Sequence, residues 1–515
     1  MVVKINTACT VGLDACDVAV EIDVVNAAQS CVVIVGLPDI AVKEAESRVK
    51  SAIKNSGYTF PSKRVVVNLA PADLKKNGTH FDLPVAVGIL AEEEVLESEK
   101  LQNYAFLGEL SLDGEINAVR GVLPLVMGLK ESGIKNIIVP ENNVKEAALV
   151  DGINVYGANS LNEVVHHFID EPLKPTSINL DEYLNNALAD DFQYDFKDVK
   201  GQQKAKKAME IAAAGAHNIL MVGSPGAGKT MMARCFKSIL PPLTKEEALE
   251  LTKIYSIAGL LMGKEHLIVN RPFRAVHHTA SANGIIGGGT TPKPGEITLA
   301  HRGVLFLDEM VEFPRPVLEV LRQPLEDGYI VISRAKNSIT YPAKFILLGA
   351  MNPCPCGYLG DKEKQCTCAE FQINRYLSRI SGPLLDRIDL QVDVTRLTSD
   401  ELLNMKPADE TSKDIRERVI KARKIQAERY KNDGILTNSE LNTKLLRKYC
   451  KLSEDCEKIF KTAIVKYGLS GRKYDRILKL SRTIADLEGS ADIKPPHIMQ
   501  ALQYRISEVT EMANK

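Results

Sequence analysis

The pattern of apolar and polar positions divides the chain into parts of different character. Up to about residue 170, the runs AVEIDVV, VVIVG at 32–36 and RVVVNL at 64–69 are alternating or continuously apolar and predict strands. Apolar residues at helical spacing predict one helix between these strands, and the segment 82–91 predicts a second, well-buried helix. The helical positions are Val42, Ala45, Val49, Ala52 and Ile53.

The pattern changes twice further along the chain. From residue 200 to residue 394, apolar runs such as NILMV, GVLFL and KFILLGAM alternate with helical stretches, which predicts a mainly parallel sheet covered on both faces. Beyond residue 400 the pattern is helical throughout. We therefore predict an α/β protein with four parts: an α/β domain at 1–170, a polar linker at 171–194, a central α/β domain at 195–395 and a helical lid at 396–515.

Composition narrows the choice of partners and compartment. The chain has 515 residues, 65 basic and 66 acidic, so its net charge of −1 gives no overall basic field for nucleic acid or an anionic membrane. Any contact with nucleic acid must therefore be local. Acidic residues interrupt the N-terminal segment where a signal peptide would be apolar, and no run of about 18 apolar residues occurs, so we expect a cytoplasmic protein with no membrane partner.

The most informative motif lies where a predicted strand meets a predicted helix. Its glycines let backbone N–H groups surround a phosphate, its lysine reaches the β- and γ-phosphates, and its final hydroxyl suits Mg²⁺. A strand before the motif and a helix after it favour binding of a nucleoside triphosphate over a simple turn. The motif consists of Gly223, Ser224, Pro225, Gly226, Ala227, Gly228, Lys229 and Thr230.

Two further strands end in side chains suited to hydrolysis. The apolar run 304–307 is followed by Asp308, expected to hold Mg²⁺, and by Glu309, expected to orient and polarise the attacking water. The next strand ends at Asn352, whose amide could hydrogen-bond both the water and the γ-phosphate. Together these residues predict ATP hydrolysis, although a pair of acidic residues taken alone is often only an ordinary loop feature.

The motifs GSPGAGKT, GVLFLDEM, GAMNPCPCGY, SGPLLDRIDL and GRKYDRILKLSRTIADL closely resemble those of magnesium-chelatase-like AAA+ ATPases, specifically the YifB/ComM family. The resemblance covers essentially the whole chain. It implies that Arg387 completes the site of a neighbouring subunit and that Arg472, with Arg476 as the alternative, acts within its own subunit as sensor 2. Arg482 lies on the same predicted helix. An arginine acting between subunits implies a ring, expected to be a hexamer.

The segment 80–140 resembles the proteolytic domain of Lon proteases. Active domains of that type pair a serine nucleophile with a lysine base. Aligning the motifs places Val85 at the serine position and Leu123 near the lysine position, and neither can attack or accept a proton. We therefore expect an inactive platform for partners or for assembly, without peptidase activity.

A cysteine quartet follows Asn352, here called the sensor asparagine. Cys354, Cys356, Cys366 and Cys368 form two C-x-C pairs separated by nine residues, and four thiolates could close a tetrahedral zinc site. The spacing C-x₂-C is commoner in zinc ribbons, so free thiols in a loop remain the alternative.

The segment 329–341 predicts a hairpin with Arg334 and Lys336 at its tip. Similar hairpins in ring helicases project into the pore, which makes these two residues candidates for DNA contact; a structural hairpin with solvated charges is the alternative. The resemblance thus implies an ATP-driven ring motor for single-stranded or branched DNA in recombination of incoming DNA, with recombination proteins as further partners. The alternatives are a chelatase- or chaperone-like remodeller of a protein and a nucleotide-gated scaffold.

Overall fold

The computed structural model describes residues 2–26, 31–187, 193–261, 266–289, 293–333, 338–398, 401 and 410–505. Within these residues the strands are β1 Val3–Val11, β2 Asp14–Val25, β3 Cys31–Val35, β4 Arg64–Ala70, β5 Tyr104–Phe106, β6 Glu109–Leu110, β7 Ile116–Asn117, β8 Asn136–Pro140, β9 Asn154–Ala158, β10 Pro175–Thr176, β11 Ile219–Gly223, β12 Phe273–Val276, β13 Gly287–Gly288, β14 Lys293–Pro294, β15 Val304–Leu307, β16 Tyr329–Ser333, β17 Ser338–Pro342, β18 Ile346–Met351 and β19 Leu390–Val394.

The helices of the same residues are α1 Ile40–Asn55, α2 Asp82–Glu92, α3 Ser98–Leu101, α4 Val122–Glu131, α5 Val144–Ala147, α6 Leu161–Ile169, α7 Leu180–Ala187, α8 Gln203–Gly215, α9 Lys229–Phe236, α10 Lys245–Ala258, α11 Ala282–Ile286, α12 Glu296–Leu299, α13 Arg315–Glu319, α14 Arg322–Asp327, α15 Glu370–Leu377, α16 Gly382–Leu385, α17 Ser412–Arg429, α18 Thr443–Tyr449, α19 Glu454–Tyr467, α20 Gly471–Leu487 and α21 Pro495–Arg505. Short 3₁₀ turns occur as well, for example at Met310–Glu312.

The chain forms two compact units whose sequence segments alternate. The N-terminal unit contains Met1–Leu188, Thr244–Val269 and Ser333–Ile339, and the C-terminal unit contains Ala189–Leu243, Asn270–Ile332 and Thr340–Lys515. Helix α10 therefore belongs to the N-terminal unit, although it follows the phosphate-loop helix α9 in sequence. Among the described residues, no helix is long and apolar enough to span a membrane.

The N-terminal unit is built on a mixed sheet of eight strands in the order β10-β9-β8-β5-β1-β2-β4-β3. Helix α1 buries the five apolar positions that its sequence spacing predicts, and the Asp39 carboxylate caps its first turn by accepting from Val42 N at 2.9 Å. Helix α2 is buried at all positions except its last, Glu92. Because the helix is buried on all sides, its sequence is apolar all round and not on one face only.

Helix α10 joins the N-terminal unit through a buried polar contact. Its Ser256 hydroxyl donates to the Glu146 carboxylate, which also accepts from Leu123 N at 2.9 Å. Gly121 N donates to Ser256 O at 3.3 Å. Burial raises the pKa of Glu146, because a charged carboxylate is poorly solvated there. These bonds tie α10 to the start of α4.

The C-terminal unit contains a parallel sheet of five strands in the order β12-β15-β18-β11-β19, and every pair of neighbours in it runs parallel. Its central strand residues are buried, which accounts for their continuous apolar runs. Helices α17–α21 follow the sheet. The predicted fold class, with a parallel sheet and a helical C-terminal region, is confirmed.

Candidate functional site

The phosphate-loop motif occupies the turn between β11 and α9. Gly226 and Gly228 adopt φ values of 77° and 89°, a left-handed conformation that a side chain disfavours. Gly228 is also the residue that precedes the first turn of α9. The first N–H groups of a helix have no partner within that helix, so a helix start of this kind is suited to an anion. The motif therefore lies between a strand and a helix, as the sequence pattern predicts.

Lys229 is the buried cation of this loop. Its ammonium donates to Gly223 O at 2.6 Å, to Ser224 O at 3.0 Å and to Asn352 Oδ1 at 3.1 Å. Burial lowers the pKa of Lys229 to about 8, and the charges of Asp308 and Glu309 only partly oppose this effect. All three hydrogen-bond acceptors are neutral, so an anionic phosphate would be a stronger partner than any of them.

The strand order explains how distant residues meet beside Lys229. Strands β15, β18 and β11 are parallel neighbours, so their carboxyl ends share one edge of the sheet. Asp308 follows β15, Asn352 follows β18 and the phosphate loop follows β11. The structure therefore brings the predicted Mg²⁺, sensor and phosphate residues together.

The residues proposed for Mg²⁺ face each other. Thr230 Oγ1 donates to Asp308 Oδ2 at 2.8 Å, which places two oxygen ligands side by side. Mg²⁺ prefers oxygen donors, commonly one or two protein oxygens together with water and phosphate oxygens. The pair Thr230 and Asp308 fits that requirement.

Glu309 has an unusual backbone conformation for a residue other than glycine. Its φ is 49°, and its N–H donates to Asp308 Oδ1 at 3.0 Å. The side chain is 59% exposed, so water reaches it. Strained backbone at such a position is typical of functional sites, where the surrounding structure fixes the orientation of a side chain.

His278 was not singled out from the sequence. Its Nδ1 lies 3.7 Å from Glu309 Oε2, and its ring stacks on that of His277 with centroids 4.2 Å apart. Both histidines follow β12, which pairs with β15, the strand that precedes Asp308 and Glu309. The signal that could have identified them is their position at the end of a strand that neighbours the strand before Asp308 and Glu309.

The arginine assigned to a neighbouring subunit's site is largely buried within its own chain. Arg387 donates through Nη1 to Pro383 O at 2.7 Å and through Nη2 to the Glu326 carboxylate. The Arg472 Nη2 lies 3.8 Å from the other oxygen of Glu326, and the Arg472 side chain is 70% exposed. The structure thus brings both predicted arginines to one carboxylate, that of Glu326. The sequence analysis did not identify Glu326 as a site residue.

The other two arginines of helix α20 form internal contacts. Arg476 donates to Arg387 O at 2.9 Å and pairs with the buried carboxylate of Asp389. Burial raises the pKa of Asp389, but Arg476, His217 and Lys479 together hold it well below its usual range. Arg482 donates to Ala491 O at 2.7 Å and Ser490 O at 2.6 Å, so it ties the end of α20 to the segment before α21.

The four cysteines form one cluster. Their sulfur atoms all lie within 4.8 Å of one another, so the structure brings together the quartet that the sequence predicted as a zinc site. Cys354 is buried, and the other three are partly exposed.

The predicted hairpin exists as the paired strands β16 and β17. Its tip, with Arg334 and Lys336, lies outside the described residues. In the N-terminal unit, Val85 is buried in α2 and Leu123 is buried in α4. At both positions assigned by the Lon resemblance, the structure therefore places an apolar side chain in a helix within the core.

Comparisons with known proteins find relatives and family models for this chain. Family models match residues 195–402 (magnesium chelatase, subunit ChlI), 20–143 (subunit ChlI of Mg-chelatase) and 409–505 (magnesium chelatase, subunit ChlI C-terminal). The chain is 45% identical over 473 residues to competence protein ComM of Haemophilus influenzae, covering 92% of this chain and 91% of the relative. It is 40% identical over 506 residues to YifB of Escherichia coli, covering 97% and 96%. A magnesium-chelatase subunit ChlI homolog of Methanocaldococcus jannaschii is 24% identical over 336 residues, covering 60% and 86%.

Proposed function

Because the chain belongs to the YifB/ComM family of magnesium-chelatase-like AAA+ proteins, we propose that it is an ATP-hydrolysing ring motor that acts on DNA. Membership of this family supports an ATPase that uses ATP and Mg²⁺ and forms an oligomer. Hexameric assembly, DNA as the substrate and a cytoplasmic location are the further parts of the proposal.

One observation carries the proposed hydrolysis: the ends of three parallel strands bring a cation, two Mg²⁺-binding oxygens, a carboxylate and an amide to one place. Lys229 would bind and neutralise phosphate oxygens, and Thr230 and Asp308 would hold a Mg²⁺ ion. Such an ion would supply positive charge to the phosphate oxygens. We propose that Asn352, whose Oδ1 accepts from Lys229, orients the γ-phosphate and the water.

Glu309 is the proposed catalytic carboxylate. It accepts a hydrogen bond from the attacking water, orients it in line with the γ-phosphate and takes its proton as the new P–O bond forms. The released products are ADP and inorganic phosphate. Its exposure to water and its fixed backbone conformation both suit this role.

Arg387 is proposed to act on the nucleotide of the adjacent subunit. In the described chain its guanidinium is held by Pro383 and Glu326, so assembly must exchange Glu326 for phosphate oxygens. Guanidinium groups bind carboxylates and phosphates with the same paired geometry, which makes such an exchange chemically simple. Arg472, near the same carboxylate, is proposed to contact the nucleotide of its own chain.

Mixing two inactive variants tests this assignment. Glu309→Gln lacks the carboxylate, and Arg387→Ala lacks the arginine, so we expect each variant alone to bind ATP and hydrolyse it poorly. In mixed rings, a subunit with intact Glu309 meets a neighbour with intact Arg387, so phosphate release should return in part. No recovery in rings shown by mass measurement to be mixed would contradict action between subunits.

DNA is proposed as the substrate because the relative from Haemophilus influenzae is named a competence protein and because a hairpin precedes β18. The cationic tip residues Arg334 and Lys336 would contact DNA phosphates, and their role rests on the sequence alone. We propose branch migration during recombination of incoming DNA in natural transformation as the activity, with recombination proteins as partner candidates.

The substrate is tested by the rate of ATP hydrolysis with forked, three-stranded and duplex DNA. We expect branched DNA to stimulate wild-type hydrolysis and Lys336→Glu to abolish that stimulation. Lys461→Glu, an equal charge change on exposed helix α19, is the matched control and should keep it. Movement of a branch point on a defined DNA substrate, with Glu309→Gln as the inactive control, then measures whether ATP hydrolysis drives branch migration.

If hydrolysis is insensitive to every DNA but responds to a protein partner, the chelatase- or chaperone-like alternative replaces the DNA motor. The ChlI family models favour that alternative over a passive scaffold, since they describe a magnesium-chelatase subunit. For the N-terminal unit we propose a platform without peptidase activity, which is supported by the buried apolar side chains of Val85 and Leu123.

A further inference from the structure

Residues 353–369, here called the cysteine loop, connect β18 with α15. All of these residues are described, and none of them lies in a helix or strand. Few of their side chains are buried, so the loop has no apolar core of its own. Irregular loops longer than about 12–15 residues are uncommon in compact domains and usually have a function. A small element without a core commonly needs a disulfide or a metal ion to fix it.

The sulfur atoms of the cysteine loop have the spacing of a tetrahedral metal site. Cys354 Sγ lies 3.4 Å from Cys356 Sγ and 3.7 Å from Cys366 Sγ, and Cys356 Sγ lies 3.6 Å from Cys366 Sγ. A Zn–S bond of about 2.3 Å in tetrahedral geometry separates two sulfurs by about 3.8 Å. A disulfide bond is far shorter, at about 2.05 Å. The separations among these three sulfurs therefore fit thiolates around one metal ion, and the Cys368 sulfur lies within 4.8 Å of each of them.

The backbone of the loop also contacts this cluster. Cys356 N donates to Cys368 Sγ at 3.4 Å, and Gly357 N donates to Cys354 O at 3.0 Å, which closes a tight turn between the first two cysteines. Four thiolates around a divalent ion carry a net charge of −2, and N–H donors of this kind stabilise that charge.

The cysteine loop also lies directly against the phosphate loop. A Cβ atom added to Gly357 would lie 2.6 Å from Pro225 Cδ and 3.9 Å from Asn352 Cγ. Movement of the cysteine loop at Gly357 would therefore remove a packing contact of Pro225 and change the surroundings of Asn352.

We propose that Cys354, Cys356, Cys366 and Cys368 bind one structural zinc ion, and that this ion holds the cysteine loop against Pro225 and Asn352. The metal site is independent of the proposed motor function, whereas its effect on the nucleotide rests on that function. Loss of zinc frees the cysteine loop, and the phosphate loop then binds ATP more weakly. By linkage, bound nucleotide strengthens the retention of zinc by the same factor.

Metal content tests the site without nucleotide or DNA. Full-length protein purified under reducing conditions should contain one zinc ion per chain by mass spectrometry. Replacement by Co²⁺ should give the intense visible absorption of a tetrahedral thiolate complex. Cys366→Ser and Cys368→Ser should lose the metal, whereas Cys16→Ser, which changes an exposed cysteine of the N-terminal unit, should keep it. A wild-type chain without zinc, or a full complement of zinc in both variants, would overturn the site.

Binding of a fluorescent ATP analogue tests the coupling. Zinc is removed from reduced wild-type protein with a chelator, circular dichroism confirms that the fold persists, and zinc is then restored. We expect the metal-free protein to bind the analogue at least about fivefold more weakly, the lower end of typical coupling between two sites, and restored zinc to reverse this loss. Equal affinity with and without zinc overturns the coupling. Wild-type protein that contains zinc but binds no nucleotide would refute the coupling and the proposed motor, while leaving the metal site intact.

Discussion

Asp82 in the N-terminal unit and Lys229 in the C-terminal unit are both charged groups in the protein interior, but they are satisfied in different ways. Asp82 accepts from Arg48 Nε at 2.7 Å and Nη2 at 3.0 Å, and from Leu110 N at 3.2 Å. The hydrogen bonds of Lys229 go only to carbonyl and amide oxygens. One charge is neutralised by its own chain, and the other is left for a ligand.

The pKa values of the two groups follow from burial. Burial raises the pKa of Asp82 to about 6, although Arg48 and Leu110 oppose the rise. Burial lowers the pKa of Lys229 to about 8. In both cases a low-dielectric environment disfavours the charged form. The difference between a structural charge and a binding charge therefore lies in the partner, and burial alone does not distinguish them.

The difference between a structural charge and a charge that serves a ligand predicts its largest effect at Glu309, the proposed catalytic carboxylate beside Lys229. Glu309→Gln keeps the shape and the backbone of the site but cannot take a proton from water. We expect the turnover number for ATP to fall by about 10²–10⁴-fold, the range for loss of general-base catalysis, while nucleotide affinity is retained. Phosphate release and equilibrium binding measure the two quantities separately. Turnover close to that of the wild type would remove Glu309 from the mechanism.

The structural pair in the N-terminal unit should affect stability instead. Arg48→Met leaves Asp82 buried without its cation, and we expect the free energy of unfolding to fall by about 3 kcal/mol at pH 8, the lower end for breaking a buried ion pair. Because the chain contains no tryptophan, urea unfolding is followed by circular dichroism. Lys43→Met on the exposed side of α1 is the control and should have little effect.

The pH dependence of that variant has a definite sign. The pKa of Asp82 in the folded protein is about 6, above its ordinary value of 3.8. Between these two pH values the folded state therefore binds more protons than the unfolded state. The stability that Asp82 contributes is present below pH 4 and is lost as the pH rises through 6. Without Arg48 this loss grows, so the deficit of Arg48→Met should be largest at pH 8 and shrink towards pH 5. A deficit that is independent of pH would show that the ion pair is not its cause.

The smallest effect is expected at His278. Its ring nitrogen is 3.7 Å from Glu309, beyond a direct hydrogen bond, so it can only help to orient that carboxylate. His278→Ala should lower the turnover number a few-fold and leave nucleotide affinity unchanged, and His278→Asn should restore part of the loss. A change in affinity with no change in turnover would instead assign His278 to nucleotide binding.

Periodicity alone predicted several of the strands and helices. The five apolar positions of α1 are the five buried ones, and the predicted strand 304–307 has the bounds of β15. These patterns are local, because the pitch of a helix and the alternation of a strand require only neighbours within a few residues. The phosphate-loop motif was equally recognisable, since its glycines, lysine and threonine lie within the short segment 223–230.

The tertiary structure decided which distant groups meet. Only the strand order places His278 beside Glu309, and only the folded C-terminal unit brings Arg387 and Arg472 to Glu326. The same is true of Gly357 against Pro225 and of helix α10 within the N-terminal unit. These contacts join residues that are tens or hundreds of positions apart. Their partners depend on how sheets and helices pack, and no local pattern of polar and apolar residues encodes that choice.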